Sequence, residues 1–198
     1  MPGQLREVFF TESQIQSAVE RLAAQTMAWL KAKQTSTINL VSILEGAKPF
    51  TRDLTACLQK TDPKIQIKLH EIRIKGTDGH QNLLADREVQ DGYLDLDSMR
   101  QHPTLIVDDL VDSGLTLKKL KEQLSSHGVT ELRTSVLIRK FGFASGPVDF
   151  LGFDLNWSQK SLAEKGFRDC WLYGYGMDLD GKQRGLPQVE GIYISPNH

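Results

Sequence analysis

Short β-rich runs alternate with runs of helical period along most of this 198-residue chain, and that alternation restricts its fold more than any other feature. Thr11-Glu12-Ser13-Gln14 has the spacing of a capping box. Ile15, Val19, Leu22, Met27 and Leu30 follow at helical spacing, which predicts a helix ending near Lys33. Ile38-Asn39-Leu40-Val41-Ser42-Ile43-Leu44 reads as a strand broken by Gly46, and Phe50, Leu54 and Leu58 then share one helical face. Further strands are expected at Ile65-Gln66-Ile67-Lys68-Leu69-His70, at Thr104-Leu105-Ile106-Val107, from Leu132 to Ile138, from Val148 to Phe153, and at Trp171-Leu172-Tyr173-Gly174-Tyr175. A helix after Gly114 turns Leu117, Leu120 and Leu124 inward. Strands that alternate with helices imply an α/β fold with a mostly parallel sheet and helices on both faces. Ligands of such sheets sit beyond the carboxyl ends of the strands, so the residues after Leu44 and Val107 are where a site is expected.

The segment Leu105-Ile106-Val107-Asp108-Asp109-Leu110-Val111-Asp112-Ser113-Gly114-Leu115-Thr116 carries the chemistry. An apolar strand delivers two adjacent acids, a short turn follows, and a helix begins. The amino end of a helix offers unpaired N–H groups and the positive end of its dipole. Gly114 permits close backbone approach, and the Ser113 and Thr116 hydroxyls add donors, which together suit a phosphate monoester. Asp108 and Asp109 could accept hydrogen bonds from vicinal ribose hydroxyls or anchor hydrated Mg²⁺. An isolated Asp-Ser-Gly is more often a plain N-cap turn; the strand, the paired acids and the hydroxyl-Gly-x-Thr spacing make the full pattern far more specific.

Net charge is −1, so no overall basic excess points to nucleic acid, and no run approaches the length of a membrane span. The first residues lack the apolar core of a signal peptide. Two cysteines, Cys57 and Cys170, cannot build a disulfide framework, and a cytoplasmic location is expected. There is no Walker lysine loop, no Gly-x-Gly-x-x-Gly after a strand, no Cys-x-x-Cys and no His-x-x-x-His. Residues 75–92 are polar, with Gly76, Gly79 and Gly92, and read as a lid or binding loop.

The central segment resembles the phosphoribosyl pyrophosphate (PRPP) signature of the type I phosphoribosyltransferases. Phe10-Thr11-Glu12-Ser13-Gln14-Ile15, Leu44-Glu45-Gly46-Ala47 with Phe50 and Asp53-Leu54, Asp149-Phe150-Leu151-Gly152-Phe153, and Gly174-Tyr175-Gly176-Met177-Asp178 with Arg184 and Leu186-Pro187 are similar to the hypoxanthine-guanine branch. The resemblance covers nearly the whole chain in order. It implies one domain over 1–198, with a core near 36–153 and a small hood from about 1–12 and 154–198. It also implies a pentosyltransferase of purine salvage, making IMP or GMP and pyrophosphate from PRPP and a 6-oxopurine, with Mg²⁺. A homo-oligomer, dimer or tetramer, is implied too.

Residue by residue, the resemblance assigns Asp112 to the purine N7 as proton acceptor. It gives Asp108 and Asp109 to the ribose hydroxyls and the metal's water shell. Ser113, Gly114, Leu115 and Thr116 hold the 5′-phosphate. Leu44, Glu45 and Gly46 meet pyrophosphate, often through a cis peptide, and Arg184 joins them. Trp171 stacks on the base and Leu172 reads its edge with backbone groups. Asp178 binds a second Mg²⁺.

Four departures from the family pattern stand out. Glu45 replaces a usual Lys and is expected to point away from pyrophosphate. Gly76-Thr77 falls where the lid usually has Ser-Tyr. Ser145-Gly146-Pro147-Val148 lacks a Lys expected before Asp149-Phe150 to bond the base's exocyclic oxygen, which leaves Lys140, Arg139 or the backbone to read it. Residues 156–170 are longer than the usual connection; Leu162-Ala163-Glu164-Lys165 is expected as an added helical turn covering the base pocket, with Lys160 or Lys165 in place of the missing Lys. Two other readings stay open: a non-catalytic, regulatory nucleotide-binding homologue, and a phosphoribosyltransferase for another base such as xanthine.

Overall fold

The computed structural model describes residues 5–74, 89–90, 94–141 and 148–196. The expected lid, apart from Val89-Gln90, lies outside the described residues, as do Gly76-Thr77 and Ser145-Gly146-Pro147. Along the chain run β1 (Arg6–Phe10), α1 (Glu12–Ala32), β2 (Thr37–Leu44), α2 (Lys48–Thr61), β3 (Gln66–Ile74), β4 (Val89–Gln90), α3 (Leu96–Gln101), β5 (Thr104–Val111), α4 (Leu115–Ser126), β6 (Leu132–Phe141), β7 (Phe150–Trp157), α5 (Gln159–Glu164), β8 (Asp169–Tyr173) and β9 (Val189–Ile194).

The larger sheet has the order β4-β3-β2-β5-β6-β7. Its strands β3, β2, β5, β6 and β7 are mutually parallel, and β4 pairs antiparallel at one edge. Central strands buried on both faces should read as unbroken apolar runs. Ile38, Leu40, Val41, Leu105, Ile106, Val107, Val136, Leu137 and Ile138 are all fully buried. One core lies between the sheet and α1 and α2, with Ile15, Leu22, Leu30, Phe50, Leu54 and Leu58. A second lies under α3 and α4, with Met99, Leu117, Leu120 and Leu124.

Thr11 caps α1 in the expected reciprocal manner: Gln14 N–H donates to Thr11 Oγ1 at 3.4 Å, and Thr11 N–H donates to Gln14 Oε1 at 2.9 Å. Among the described residues no helix is long and apolar enough to cross a membrane.

A separate three-stranded antiparallel sheet, β1-β9-β8, joins the two ends of the chain. Two of its strands, β1 and β9, were not expected, and neither was α3. β5 also runs farther than the apolar stretch suggests: Asp108 and Leu110 pair with Val136 and Ile138 of β6, and Val111 pairs with Arg139. The two acids therefore lie within the strand rather than in the turn after it.

Candidate active site

Parallel strands bring their carboxyl ends to one edge of the sheet, and there a cavity of about 380 Å³ opens. β2 contributes Ile43 and Leu44 and leads into Glu45-Gly46, β5 contributes Asp109 and Leu110 and leads into Asp112, and β6 contributes Lys140. The opposing wall is Trp171 and Leu172 of β8 with Met177, Asp178 and Arg184. Of the residues expected at a site, Asp108, Ser113, Gly114, Leu115 and Thr116 are not among those lining this cavity. Asp108 is buried, and its Oδ1 accepts the Asp109 N–H at 3.1 Å. Gly114 is the N-cap of α4 with φ 75°, a left-handed conformation that a side chain would strain. Ser113 Oγ accepts from Leu115 N–H at 3.4 Å, so the amino end of α4 begins just past Asp112.

Close packing fixes the acidic tip. A Cβ on Gly46 would sit 2.1 Å from Asp109 Oδ2, so a side chain here would have to displace that carboxylate. The peptide joining Leu44 and Glu45 is cis. Glu45 accepts an ion pair from Arg73 and another from Lys48 Nζ at 3.0 Å. These two cations hold its carboxyl below the usual range, the Lys48 hydrogen bond contributing most.

Burial raises the carboxyls of both Asp108 and Asp109, and for Asp108 the neighbouring Asp109 charge adds to the effect. Asp112 faces solvent through the open cavity, yet lost hydration raises it as well, against the pull of Lys140. A carboxylate raised towards neutrality is the better proton acceptor near neutral pH.

This architecture coincides with that of known proteins. Residues 11–142 match the phosphoribosyl transferase domain. The chain is 31% identical over 190 residues to the hypoxanthine-guanine phosphoribosyltransferase of Dictyostelium discoideum, covering 93% of each. The chain belongs to the hypoxanthine-guanine phosphoribosyltransferase family. It is also 28% identical over 193 residues to the enzyme of that name from Mycobacterium bovis, covering 95% of this chain and 86% of the relative. A solved hypoxanthine phosphoribosyl transferase from Trypanosoma cruzi superposes with a TM-score of 0.74 at 25% identity, over 96% of this chain and 92% of that one.

Within this phosphoribosyltransferase, Lys140 distinguishes between the cations weighed for the base. Arg139 is committed to Asp154, with Nε donating to Oδ1 at 3.1 Å. Lys140 lines the cavity with its side chain only 6% exposed, and its Nζ donates to Asp169 Oδ1 at 2.6 Å. A run without lysine before Asp149 therefore does not deprive the cavity of a cation. The helical turn expected within residues 156–170 is present as α5. Its expected place over the base pocket is corrected: among the described residues none of this segment lines the cavity, Leu162 is buried in the core, and Lys160 is exposed beside Glu164. Trp157 instead packs edge-on to Phe9 at 5.4 Å and Phe167 lies 4.6 Å from Tyr193, which ties both ends of the segment around α5 to β1 and β9.

Trp171 is 50% exposed because its neighbours Cys170 and Leu172 take the buried positions of β8. Its Nε1 donates to the Asp178 carbonyl at 2.8 Å, which holds the ring upright as a cavity wall rather than as a core anchor. Arg184 Nη2 donates to Asp178 Oδ1 at 2.7 Å and Nη1 to the Gly176 carbonyl at 2.6 Å. Burial pushes the Cys170 thiol up to about 12, which removes it as a nucleophile.

Proposed function

We propose that this phosphoribosyltransferase makes IMP or GMP and pyrophosphate from PRPP and the 6-oxopurine hypoxanthine or guanine. The observation that carries this reading is one cavity holding a raised carboxyl at Asp112, a buried ammonium at Lys140 and a half-exposed ring at Trp171. A ring wall suits a flat base. An ammonium is a donor only and suits a carbonyl oxygen. Its curated relatives bear the name of the same activity.

In the reaction the base nitrogen forms a bond to the ribose anomeric carbon as the bond to pyrophosphate breaks. The purine proton passes to, or is held by, Asp112. Arg184, whose guanidinium lies on the same wall, meets charge growing on the leaving group. Ser113, Gly114 and Thr116 at the head of α4 hold the 5′-phosphate, and Leu115 lends its backbone.

Mg²⁺ fits the donor set: it prefers oxygen ligands, takes one or two carboxylates and fills the rest with water and phosphate. Asp109 and Asp178 line the cavity, and the burial that raises Asp108 and Asp109 is a cost a cation would relieve. Bound there, the ion would neutralise pyrophosphate charge.

Product formation from PRPP with hypoxanthine, guanine, xanthine and adenine, compared side by side, tests the reading. Nucleotide and pyrophosphate are expected with the first two. Binding of PRPP without pyrophosphate release would instead indicate a non-catalytic homologue, and preference for xanthine a different salvage role. Trp171→Ala should raise the base KM about tenfold, given the usual worth of stacking one base, and leave the PRPP KM nearly unchanged. An equal rise in both would remove the stacking role. Replacing Asp108 and Asp109 together by Ala should weaken Mg²⁺-dependent PRPP binding by at least roughly tenfold, measured by calorimetry. Unchanged affinity would show that these acids do not face the sugar.

A further inference from the structure

Lys140 stands between two carboxylates that belong to different parts of the fold. One is Asp112, just past β5 of the large sheet, whose carboxyl feels the Lys140 charge. The other is Asp169, the first residue of β8 in the small sheet, which accepts the ammonium at 2.6 Å. Asp169 is itself held: its Oδ1 also accepts the Cys170 N–H at 2.7 Å, and Asp169 pairs in register with Ile194 of β9. Lys140 approaches it over the ring of Phe141, with Nζ 5.0 Å from the ring centroid, so the direction of the side chain is fixed from both ends.

From this placement we infer that Asp169 is a positioning residue that selects the base. It holds the Lys140 ammonium at the base wall and away from Asp112, so that the cavity accepts a ring edge bearing a carbonyl rather than an amino group. The inference rests on the reading of the cavity as a purine site.

The argument is one of competition. An ammonium has three N–H donors. Asp169 takes one, which leaves the others for an acceptor on the ligand. An amino group at the same position would meet donor with donor, and the buried ammonium would lose a partner it cannot replace with water. Without the Asp169 charge, the carboxylate left to draw Lys140 is Asp112. An ion pair there would cover the proton acceptor and withdraw the donor from the base. Asp169 touches neither sugar nor phosphate residues, so its effect should fall on the base alone.

Calorimetry on the full chain tests this with IMP, AMP and ribose 5-phosphate as probes, for the wild type, Asp169→Asn and Asp169→Glu. Asparagine keeps the shape and the acceptor for Cys170 N–H while removing the charge. The expected result for Asp169→Asn is IMP affinity reduced about tenfold or more, with ribose 5-phosphate affinity unchanged and the preference for IMP over AMP narrowed. Asp169→Glu should recover part of the IMP affinity, which a merely structural lesion would not. Unchanged IMP affinity, or equal losses for IMP and ribose 5-phosphate, would overturn the inference. So would a wild type without preference for IMP over AMP. Turnover is scored separately: IMP selectivity that depends on Asp169 in a chain that releases no pyrophosphate would keep this inference and sink the catalytic reading.

Discussion

Asp112→Asn is expected to lower kcat by a factor on the order of 10²–10⁴, the usual worth of a positioned proton acceptor, while PRPP binds nearly as before. The argument begins with placement. Asp112 directly follows the last residue of β5, lines the cavity and stands in the field of Lys140. Its pKa is raised first by desolvation; Lys140 lowers it and Asp169 raises it. Activity that needs the ionised carboxylate is complete above this raised pKa and is lost as pH falls through it. The acid limb of kcat/KM against pH should therefore lie above the ordinary carboxylate range. Asparagine cannot accept the proton, so the residual activity should lack that limb. The side chain is exposed, so the fold should persist with a Tm close to wild type. A large fall in Tm, or a limb that stays in the variant, would assign Asp112 a structural role and the limb to another group.

Legibility in the sequence followed the range of the interactions. β5 and α4 could be read because an unbroken apolar run gives way to a helical period within a dozen residues, with Gly114 at the junction. α1 could be read from its cap and its stripe of Ile15, Val19, Leu22 and Leu30. The small sheet could not. β1 carries Arg6, Glu7 and Val8 in exposed positions, and β9 is interrupted by Gly191. Gly191 is required because a Cβ there would lie 2.4 Å from the Phe9 ring of the other end of the chain. No local pattern announces a strand whose partner is so distant. The extent of β5 was hidden for a similar reason: Asp108 and Asp109 look like a strand end until β6 supplies a ladder through Arg139.

The cavity divides along the same line. Its acidic tip and its loop are contiguous motifs and were legible. The burial of Lys140 was not, because it depends on Asp169 arriving from β8, and the turn of Trp157 away from the cavity depends on its meeting Phe9 from β1.

Gly176→Ala should be strongly damaging, because glycines join the two sheets at this cavity. Gly46 lies against the Asp109 carboxylate, and Gly176 lies against Gly46: a Cβ on Gly176 would stand 2.0 Å from the Gly46 carbonyl oxygen and 2.8 Å from Pro49 Cδ. The nearest obstacle is backbone, so no side chain can swing aside. Gly176 also has φ +100°, where an alanine is strained even in open space. Its own carbonyl holds Arg184 at 2.6 Å, so a displaced turn carries Arg184 and Asp178 with it. A shift of about 1 Å in such a clamp can cost on the order of 10²-fold in kcat/KM. Strain and clash together should remove about 1–3 kcal/mol of stability, or roughly 2–4 °C of Tm per kcal/mol in a chain of this size. Two glycines in the same region separate the causes. Gly181 has φ +73° with no atom within 4 Å of an added Cβ, so Gly181→Ala measures strain alone. Gly185 has neither a positive φ nor a neighbour within 4 Å, so Gly185→Ala should be nearly silent. If Gly176→Ala lost no more activity than Gly181→Ala, the contact with Gly46 would not be what seats the small sheet on the Glu45-Gly46 loop.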